Sequence, residues 1–133
     1  FSNHEKVFTF SMHGEKNYPF RKEKSDWDIA LADQTDDATY KKILADSLDD
    51  LYQNVQPDFV FYLCGVDVIT QDKLGRLGLS VLGCKQRDEM VLQWCQRHAL
   101  PVQCSMGGGY VPEISVLVEA HANTFRLAQD IYF

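Results

Sequence analysis

The sequence predicts an α/β fold in which helices cover both faces of a parallel sheet. Two observations carry this prediction. Strand-like and helix-like segments alternate along the chain, and the clearest strand, Phe59–Cys64, has no polar break. Such an apolar run is typical of a strand buried on both faces of a parallel sheet. The length and composition indicate one domain, or a piece of one, over residues 1–133.

The first strand is predicted over Lys6–Ser11, which is rich in β-branched and aromatic residues. A long polar stretch, Met12–Asp36, follows it. Loops of this length inside a compact domain are usually functional or disordered. We expect a packed functional loop, because three aromatic residues punctuate it, namely Tyr18, Phe20 and Trp27.

Three helices are predicted. The first begins at Thr35–Asp37, which supplies a cap and first-turn acids. The second spans Leu82–His98, and the last has Pro112 in its first turn. The apolar stripes expected to face the core are Ile43, Leu44, Leu48, Leu51 and Val55 in the first helix, Met90, Val91, Trp94, Cys95 and His98 in the second, and Ile114, Leu117, Val118, His121, Phe125 and Ala128 in the last.

The third predicted strand, Leu100–Ser105, leads into the glycine-rich segment Gly107–Tyr110. Alternating strands and helices build a parallel sheet with right-handed crossovers, and ligands bind beyond the carboxyl ends of its strands. Three groups therefore meet at one rim: Ser11–His13, Asp67 and Gly107–Tyr110. Because a three-stranded sheet leaves exposed edges, the pattern also indicates a fragment of a larger domain.

Each group at this rim has a structural and a functional explanation. Asp67 could close a turn, or it could be a hard ligand for Zn²⁺. The glycines could form a tight turn, or they could let the backbone approach a substrate closely. Tyr110 could simply pack, or its hydroxyl could donate a hydrogen bond to a developing oxyanion. His13 is expected to be a hydrogen-bonded loop residue rather than a ligand.

Charge and composition argue against several classes of protein. The net charge of -6 is unfavourable for nucleic-acid binding, which needs a basic face. No apolar run approaches membrane-spanning length and no secretory leader is present, so no membrane partner is expected. The chain starts at Phe1 rather than Met, so its start looks trimmed.

The four cysteines form no C-x-x-C pair, namely Cys64, Cys84, Cys95 and Cys104. We predict that they are free, buried thiols and that the protein lies in a reducing cytoplasm.

Three segments resemble motifs of the histone deacetylase superfamily. Gly65–Leu77 is similar to its G-x-D-x-x-x-x-D-x-L-G-x-L segment, and Gly107–Tyr110 to its glycine-rich loop with the catalytic Tyr. Val7–Lys22 resembles a strand and loop of the bacterial and class-IV-like branch. The resemblance implies the arginase/deacetylase fold, a parallel sheet between helical layers. It also implies a zinc-dependent hydrolase that removes acyl groups from acylated lysine or a related amine.

The resemblance also implies roles for individual residues. These are Asp67 as a zinc ligand, Tyr110 as the catalytic residue that polarises the acyl carbonyl, Tyr18 and Leu74 on opposite walls of the substrate tunnel, Gly108 in the substrate-binding glycine loop, and Ser11 (side chain) and Met12 (backbone carbonyl) at a monovalent cation, K⁺. His13 does not match a zinc ligand of the family.

Two further family elements have no match in this chain. The tandem His-His has no counterpart among the four histidines, and no Asp-x-His occurs. In the family both lie upstream of the segment that matches Val7. The chain is therefore expected to be the carboxyl-terminal part of a catalytic domain, inactive alone, and to associate with the missing amino-terminal half or with itself.

Two alternatives remain open from the sequence. The first is a phosphate- or nucleotide-binding α/β module, with the glycine loop as an anion cradle, although the G-x-G-x-x-G spacing is absent. The second is a non-catalytic interaction fragment that is stable only as a dimer. The sequence leaves the acyl group and its carrier open, since both a protein lysine and a small polyamine fit the resemblance.

Overall fold

The computed structural model describes residues 1 and 4–133, within which helices and strands alternate as predicted after an initial pair of strands. In chain order the elements are β1 (Phe10–Gly14), β2 (Trp27–Leu31), α1 (Asp37–Asn54), β3 (Val60–Leu63), α2 (Val81–Arg97), β4 (Val102–Ser105) and α3 (Ile114–Tyr132). Strand β1 pairs in parallel with β2, and β3 pairs in parallel with β4. The α/β class and the parallel pairing are therefore confirmed, but the described strands form two separate two-stranded sheets.

The prediction that Met12–Asp36 is a loop is wrong in part, because the segment contains strand β2. In this strand the more buried side chains of Trp27, Ile29 and Leu31 alternate with exposed ones, which is the period of a half-buried strand. The first strand also begins later than predicted, at Phe10, and extends into the predicted loop as far as Gly14.

Helices α1 and α2 lie close to their predicted bounds. The Asp36 carboxylate caps α1 by accepting a hydrogen bond from the Thr39 N–H at 2.9 Å. Ser80 caps α2 in the same way, with its hydroxyl accepting from the Gly83 N–H at 2.8 Å. The predicted stripes largely face the core, where Leu44 and Leu48 of α1 and Val91, Trp94 and Cys95 of α2 are buried, but Val55 caps the end of α1 and His98 caps the end of α2.

Helix α3 buries only part of its predicted stripe: Leu117 packs against a small core that contains Val66, and His121 and Ala128 are half-buried. Ile114, Val118 and Phe125 are 68%, 58% and 59% exposed, so the expected apolar stripe is wrong for these residues. The buried face is smaller and more polar, and it consists of Ala120, Asn123, Thr124 and Leu127. Pro112 also lies outside the helix, two residues before its start at Ile114. The polar face turns inward because Thr124 satisfies a buried carboxylate, that of Asp88.

Strand β3 is covered on one face only, so its predicted burial on both faces is wrong. Val60 and Tyr62 pack against the main core between the sheets, α1 and α2. On the other face Phe61 and Leu63 are 73% and 77% exposed. Both faces of the strand carry apolar side chains, which explains the unbroken apolar run. Within the described residues, however, other elements cover only the face that carries Val60 and Tyr62.

The described residues contain no helix that is both long enough and apolar enough to cross a membrane. The four cysteines are free, and Cys64, Cys84 and Cys95 are buried. Burial raises the pKa of Cys84, Cys95 and Cys104 to about 11. These thiols therefore stay protonated at neutral pH, as expected of packing residues.

A buried ion pair joins β3, α2 and α3. The Asp88 carboxylate, which is fully buried, accepts hydrogen bonds from the Tyr62 hydroxyl at 2.6 Å, the Thr124 hydroxyl at 2.6 Å and Arg87 Nε at 2.9 Å. Arg87 Nη2 lies 2.8 Å from Asp88 Oδ1 but off the hydrogen-bond axis. Burial, followed by the neighbouring Asp88 charge, raises the pKa of Tyr62 well above its usual value. Tyr62 therefore keeps its proton and remains a donor.

We expect Asp88→Asn to lower the free energy of unfolding by about 3–5 kcal/mol, because it leaves a buried guanidinium without its counter-charge. Urea unfolding measures the change. The matched control is the exposed pair Lys42–Asp46, whose atoms are 2.7 Å apart, and Asp46→Asn should cost less than about 1 kcal/mol. Equal losses for the two variants would contradict the importance given to the buried pair.

Candidate active site

Five of the predicted site residues line one open cleft of about 250 Å³. Its walls are Asn17, Tyr18, Asp67, Leu74, Gly75, Gly108 and Tyr110. They come from the segments that follow β1, β3 and β4, and each of these strands belongs to a parallel pair. A second cavity of about 310 Å³ lies beside the surface ion pair of Arg76 and Asp33 and contains none of the predicted site residues. The cleft is therefore the candidate site.

Asp67 is held at the cleft by buried neighbours on its own loop. Val66 and Ile69 are fully buried in a small core formed with Cys84 and Ala120. The Val66 N–H donates to the Gly107 carbonyl at 3.1 Å, so the pairing of β3 with β4 continues into the two loops. The chain on either side of Asp67 is thus fixed, while its half-exposed carboxylate faces the cleft.

Gly108 leaves the space that the Asp67 carboxylate occupies. Its φ of +67° is a left-handed conformation that favours glycine, and an added Cβ would lie 2.9 Å from Asp67 Oδ1. A side chain at Gly75 would collide even more severely, because an added Cβ would lie 1.8 Å from the Asp67 carbonyl oxygen. These two glycines allow the loops to pass close to Asp67 on two sides.

Tyr110 is fixed by its backbone, whereas its ring is 61% exposed in the cleft. Its N–H donates to Asp72 Oδ2 at 2.5 Å, and its carbonyl accepts from the Lys73 N–H at 3.2 Å. Asp72 was part of the motif recognised in the sequence, but sequence reasoning gave it no role. The turn could have been predicted, since Asp72 precedes Gly75 by three residues and Asp is typical of tight turns, but the bond to Tyr110 could not.

The loop that carries Tyr18 is clamped by Lys22, a second residue that sequence reasoning missed. Lys22 Nζ donates to the carbonyls of Glu15, Asn17 and Pro19 at 3.0, 2.6 and 3.1 Å. The Asn17 side chain accepts from the Arg76 N–H at 3.0 Å, which ties this loop to the opposite wall of the cleft. Tyr18 and Leu74 nevertheless stay 81% and 59% exposed, so both present apolar surface to solvent.

Ser11 and Met12 lie in strand β1 and are not among the residues that line the cleft. The Ser11 hydroxyl is hydrogen-bonded to His13 Nδ1 at 2.8 Å, and Met12 packs against the main core. His13 is thus hydrogen-bonded, as expected, but it lies in strand β1 rather than in a loop. The predicted cation roles of Ser11 and Met12 stay predictions.

Among the side chains that line the cleft, the Asp67 carboxylate could serve as one ligand of a metal ion. An aspartate carboxylate is an established zinc ligand, and Asp67 is open to the cleft. Over residues 1 and 4–133, however, no three His, Cys, Asp or Glu side chains are arranged to hold a metal ion. A catalytic zinc needs three protein ligands and one open position. Among the described residues that line the cleft, Asp67 is therefore the one candidate ligand.

The glycine turn is poorly placed to cradle a phosphate. Helix α3 begins at Ile114, and Glu113 occupies its cap position without a side-chain capping bond. The negative charge of a carboxylate at that end repels a bound anion. The phosphate-binding alternative thus gains no support from the geometry.

Comparisons with known proteins all indicate the same family. A family model described as "Histone deacetylase domain" matches residues 1–125. An uncharacterized protein of Picosynechococcus sp. is 45% identical over 126 residues, which are 95% of this chain and 42% of the relative. Histone deacetylase 2 of Arabidopsis thaliana is 28% identical over 109 residues, which are 80% of this chain and 28% of the relative.

Two solved structures share the fold at 20% sequence identity. A histone deacetylase homologue from Aquifex aeolicus superposes with a TM-score of 0.79 over 97% of this chain and 37% of its own. An acetylpolyamine aminohydrolase from Burkholderia pseudomallei superposes with a TM-score of 0.70 over 92% of this chain and 37% of its own. The chain thus spans less than half the length of these relatives.

We expect Gly108→Ala to destabilise the chain by about 1 kcal/mol or more, because the left-handed backbone is strained and the new methyl group collides with Asp67. Gly107→Ala is the matched control, since a Cβ there meets nothing within 4 Å. Urea unfolding of both variants measures the difference. If Gly107→Ala and Gly108→Ala cost the same, the close packing of Gly108 on Asp67 would be wrong.

Proposed function

Because the chain belongs to the histone deacetylase family, we propose that it forms part of a zinc-dependent hydrolase that removes acyl groups from acylated lysine or a related amine. One observation carries this proposal: Asp67, Tyr110, Tyr18 and Leu74 line the same cleft, beyond parallel strands of an arginase/deacetylase fold. The chain contributes part of the catalytic machinery, and the rest of a deacetylase domain contributes the other zinc ligands.

In this proposal Asp67 is the zinc ligand that the chain supplies. Gly108 and the buried residues beside Asp67 limit the positions that its carboxylate can take. When bound, zinc supplies Lewis-acid chemistry at the acyl carbonyl and lowers the pKa of a water molecule. The general base, a His in the family resemblance, lies outside this chain.

Tyr110 stabilises the negative charge that develops on the acyl oxygen. Its backbone is held at both N–H and carbonyl, whereas its phenol is free in the cleft. A hydroxyl placed in this way exchanges only a hydrogen bond to water when it donates to the oxyanion. Preorganised donors of this kind contribute a large share of the rate in acyl transfer.

Tyr18 and Leu74 form the walls along which the alkyl chain of the substrate passes. Both side chains are exposed, and hydrogen bonds from Lys22 and Asn17 hold the Tyr18 loop in place. Binding an apolar chain between them removes this surface from water. Lysine and polyamine carriers both present such a chain, and both remain within the proposal. Ser11 and Met12 are proposed to bind a K⁺ ion that supports β1.

The exposed face of β3 is proposed to contact the remainder of the deacetylase domain. Phe61 and Leu63 expose large apolar surface, and a face of this kind on a sheet normally packs against another layer. The chain spans 42% of the Picosynechococcus relative, so such a domain has ample further sequence to form that layer. A dimer that uses the same face is the alternative for the chain on its own.

In the complete catalytic domain, Tyr110→Phe should lower turnover by about 10²–10³-fold while leaving the zinc content unchanged, because it removes one donor to the oxyanion. Deacylation of an acetyl-lysine peptide and of an acetylated polyamine measures turnover. Tyr52→Phe, on helix α1 and stacked on His98, is the matched control and should keep full activity. Wild-type turnover in Tyr110→Phe would exclude the proposed role.

The 133-residue chain alone should hold far less than one zinc ion per molecule after dialysis, because Asp67 is a single ligand. Metal analysis of the purified chain and of Asp67→Asn measures this directly, and the two should give the same low value. Stoichiometric zinc that is lost in Asp67→Asn would show that this chain completes the site by itself.

A further inference from the structure

Asp72 connects the two loops that carry the proposed zinc ligand and the proposed catalytic residue. Its carboxylate is buried, with 8% of the residue exposed. Oδ1 accepts from the N–H groups of Leu74 and Gly75 at 2.8 and 2.6 Å, and Oδ2 accepts from the Tyr110 N–H at 2.5 Å. We propose that Asp72 is a positioning residue that fixes Tyr110 relative to Asp67.

The bonds are arranged so that each oxygen serves a different loop. Oδ1 closes the turn that follows Asp67, while Oδ2 reaches the glycine loop. The Lys73 N–H donates to the Tyr110 carbonyl at 3.2 Å, so both polar backbone groups of Tyr110 are bound to the same short segment. We call this set of bonds, formed by Asp72 and Lys73 with Tyr110, the clasp.

The glycine loop needs such a constraint. Gly108 and Gly109 both have positive φ values, and a Cβ on Gly107 would meet nothing within 4 Å. Three successive glycines leave the backbone conformationally free. A bond from the Val66 N–H to the Gly107 carbonyl fixes the start of the loop, and the clasp fixes its end at Tyr110.

A carboxylate is suited to this position because both of its oxygens are hydrogen-bond acceptors. Three N–H donors converge on two oxygens, and bonds to a charged acceptor are shorter and stronger than bonds to a neutral one. Asn offers one acceptor oxygen and one NH₂ group, so it can retain the turn bonds at Leu74 and Gly75 but cannot accept from Tyr110. Asp72→Asn therefore opens the clasp while changing the side-chain volume little.

The clasp can be tested on the 133-residue chain itself by amide hydrogen exchange. We expect Asp72→Asn to increase the exchange rate of the Tyr110 amide at least tenfold while the Leu74 and Gly75 amides remain protected. Asp49→Asn, at an exposed position on α1, is the control and should change none of them. Unchanged protection of Tyr110 in Asp72→Asn would overturn the clasp.

The effect on catalysis rests on the proposed function, and a double-mutant cycle in the complete catalytic domain tests it. Asp72→Asn should lower kcat by about 10–100-fold with KM and zinc content unchanged, since small displacements of a catalytic group are costly. If Asp72 acts through Tyr110, the double variant with Tyr110→Phe should be no slower than Tyr110→Phe alone. A merely structural role predicts multiplied losses instead, and that result would overturn the inference.

Failure of the inference and failure of the proposed function give different results. Full turnover in Tyr110→Phe removes the proposed role of Tyr110 and, with it, the catalytic part of the inference, whereas the exchange experiment needs no activity. If Asp72→Asn does not fold, Asp72→Glu can replace it, because Glu keeps both carboxylate oxygens on a longer side chain. Asp72→Glu should still lower kcat, and combining it with Tyr110→Phe should give no lower kcat than Tyr110→Phe alone. Full kcat in Asp72→Glu together with a rapidly exchanging Tyr110 amide would contradict the positioning role.

Discussion

The buried pair of Arg87 and Asp88 is the constraint on which both the fold and the site depend. Burying two charges is costly unless further hydrogen bonds satisfy them. Asp88 obtains these from Tyr62 on β3 and Thr124 on α3, and Arg87 Nη1 donates to the Gly65 carbonyl at 2.7 Å. That carbonyl begins the loop that carries Asp67. The packing of α2 against its neighbours and the placement of the candidate metal ligand therefore share one network.

The same network explains why the outer surfaces of the chain are apolar. Helix α3 turns Thr124 inward toward Asp88, so Val118 and Phe125 face solvent. Strand β3 turns Tyr62 inward, so Phe61 and Leu63 point away from the core. Exposed apolar surface of this extent usually marks an interface. It agrees with a chain that spans less than half the length of its relatives.

The sequence predicted the features that depend on local pattern, and it failed where tertiary contacts decide. The start of α1 was predicted, both ends of α2 were predicted to within one residue, and the rim residues Asp67 and Tyr110 do share a cleft. Strand β2 was missed because its five residues are flanked by charges. The orientation of α3 could not be predicted, because hydrophobicity does not reveal that Thr124 has a buried partner. Hydrogen bonding between distant loops, as at Asp72 and Tyr110, likewise leaves little trace in a single sequence.

The central claim is that the Asp67 carboxylate and the Tyr110 phenol face a common cleft across which one acyl group can be held. Substitution of Co²⁺ for zinc in the complete catalytic domain tests it most directly, since the paramagnetic ion perturbs the NMR signals of nearby rings. The account predicts that the Tyr110 ring signals are strongly shifted or broadened by the metal and that those of Tyr52 are not. Unperturbed Tyr110 signals with the metal bound at Asp67 would contradict it.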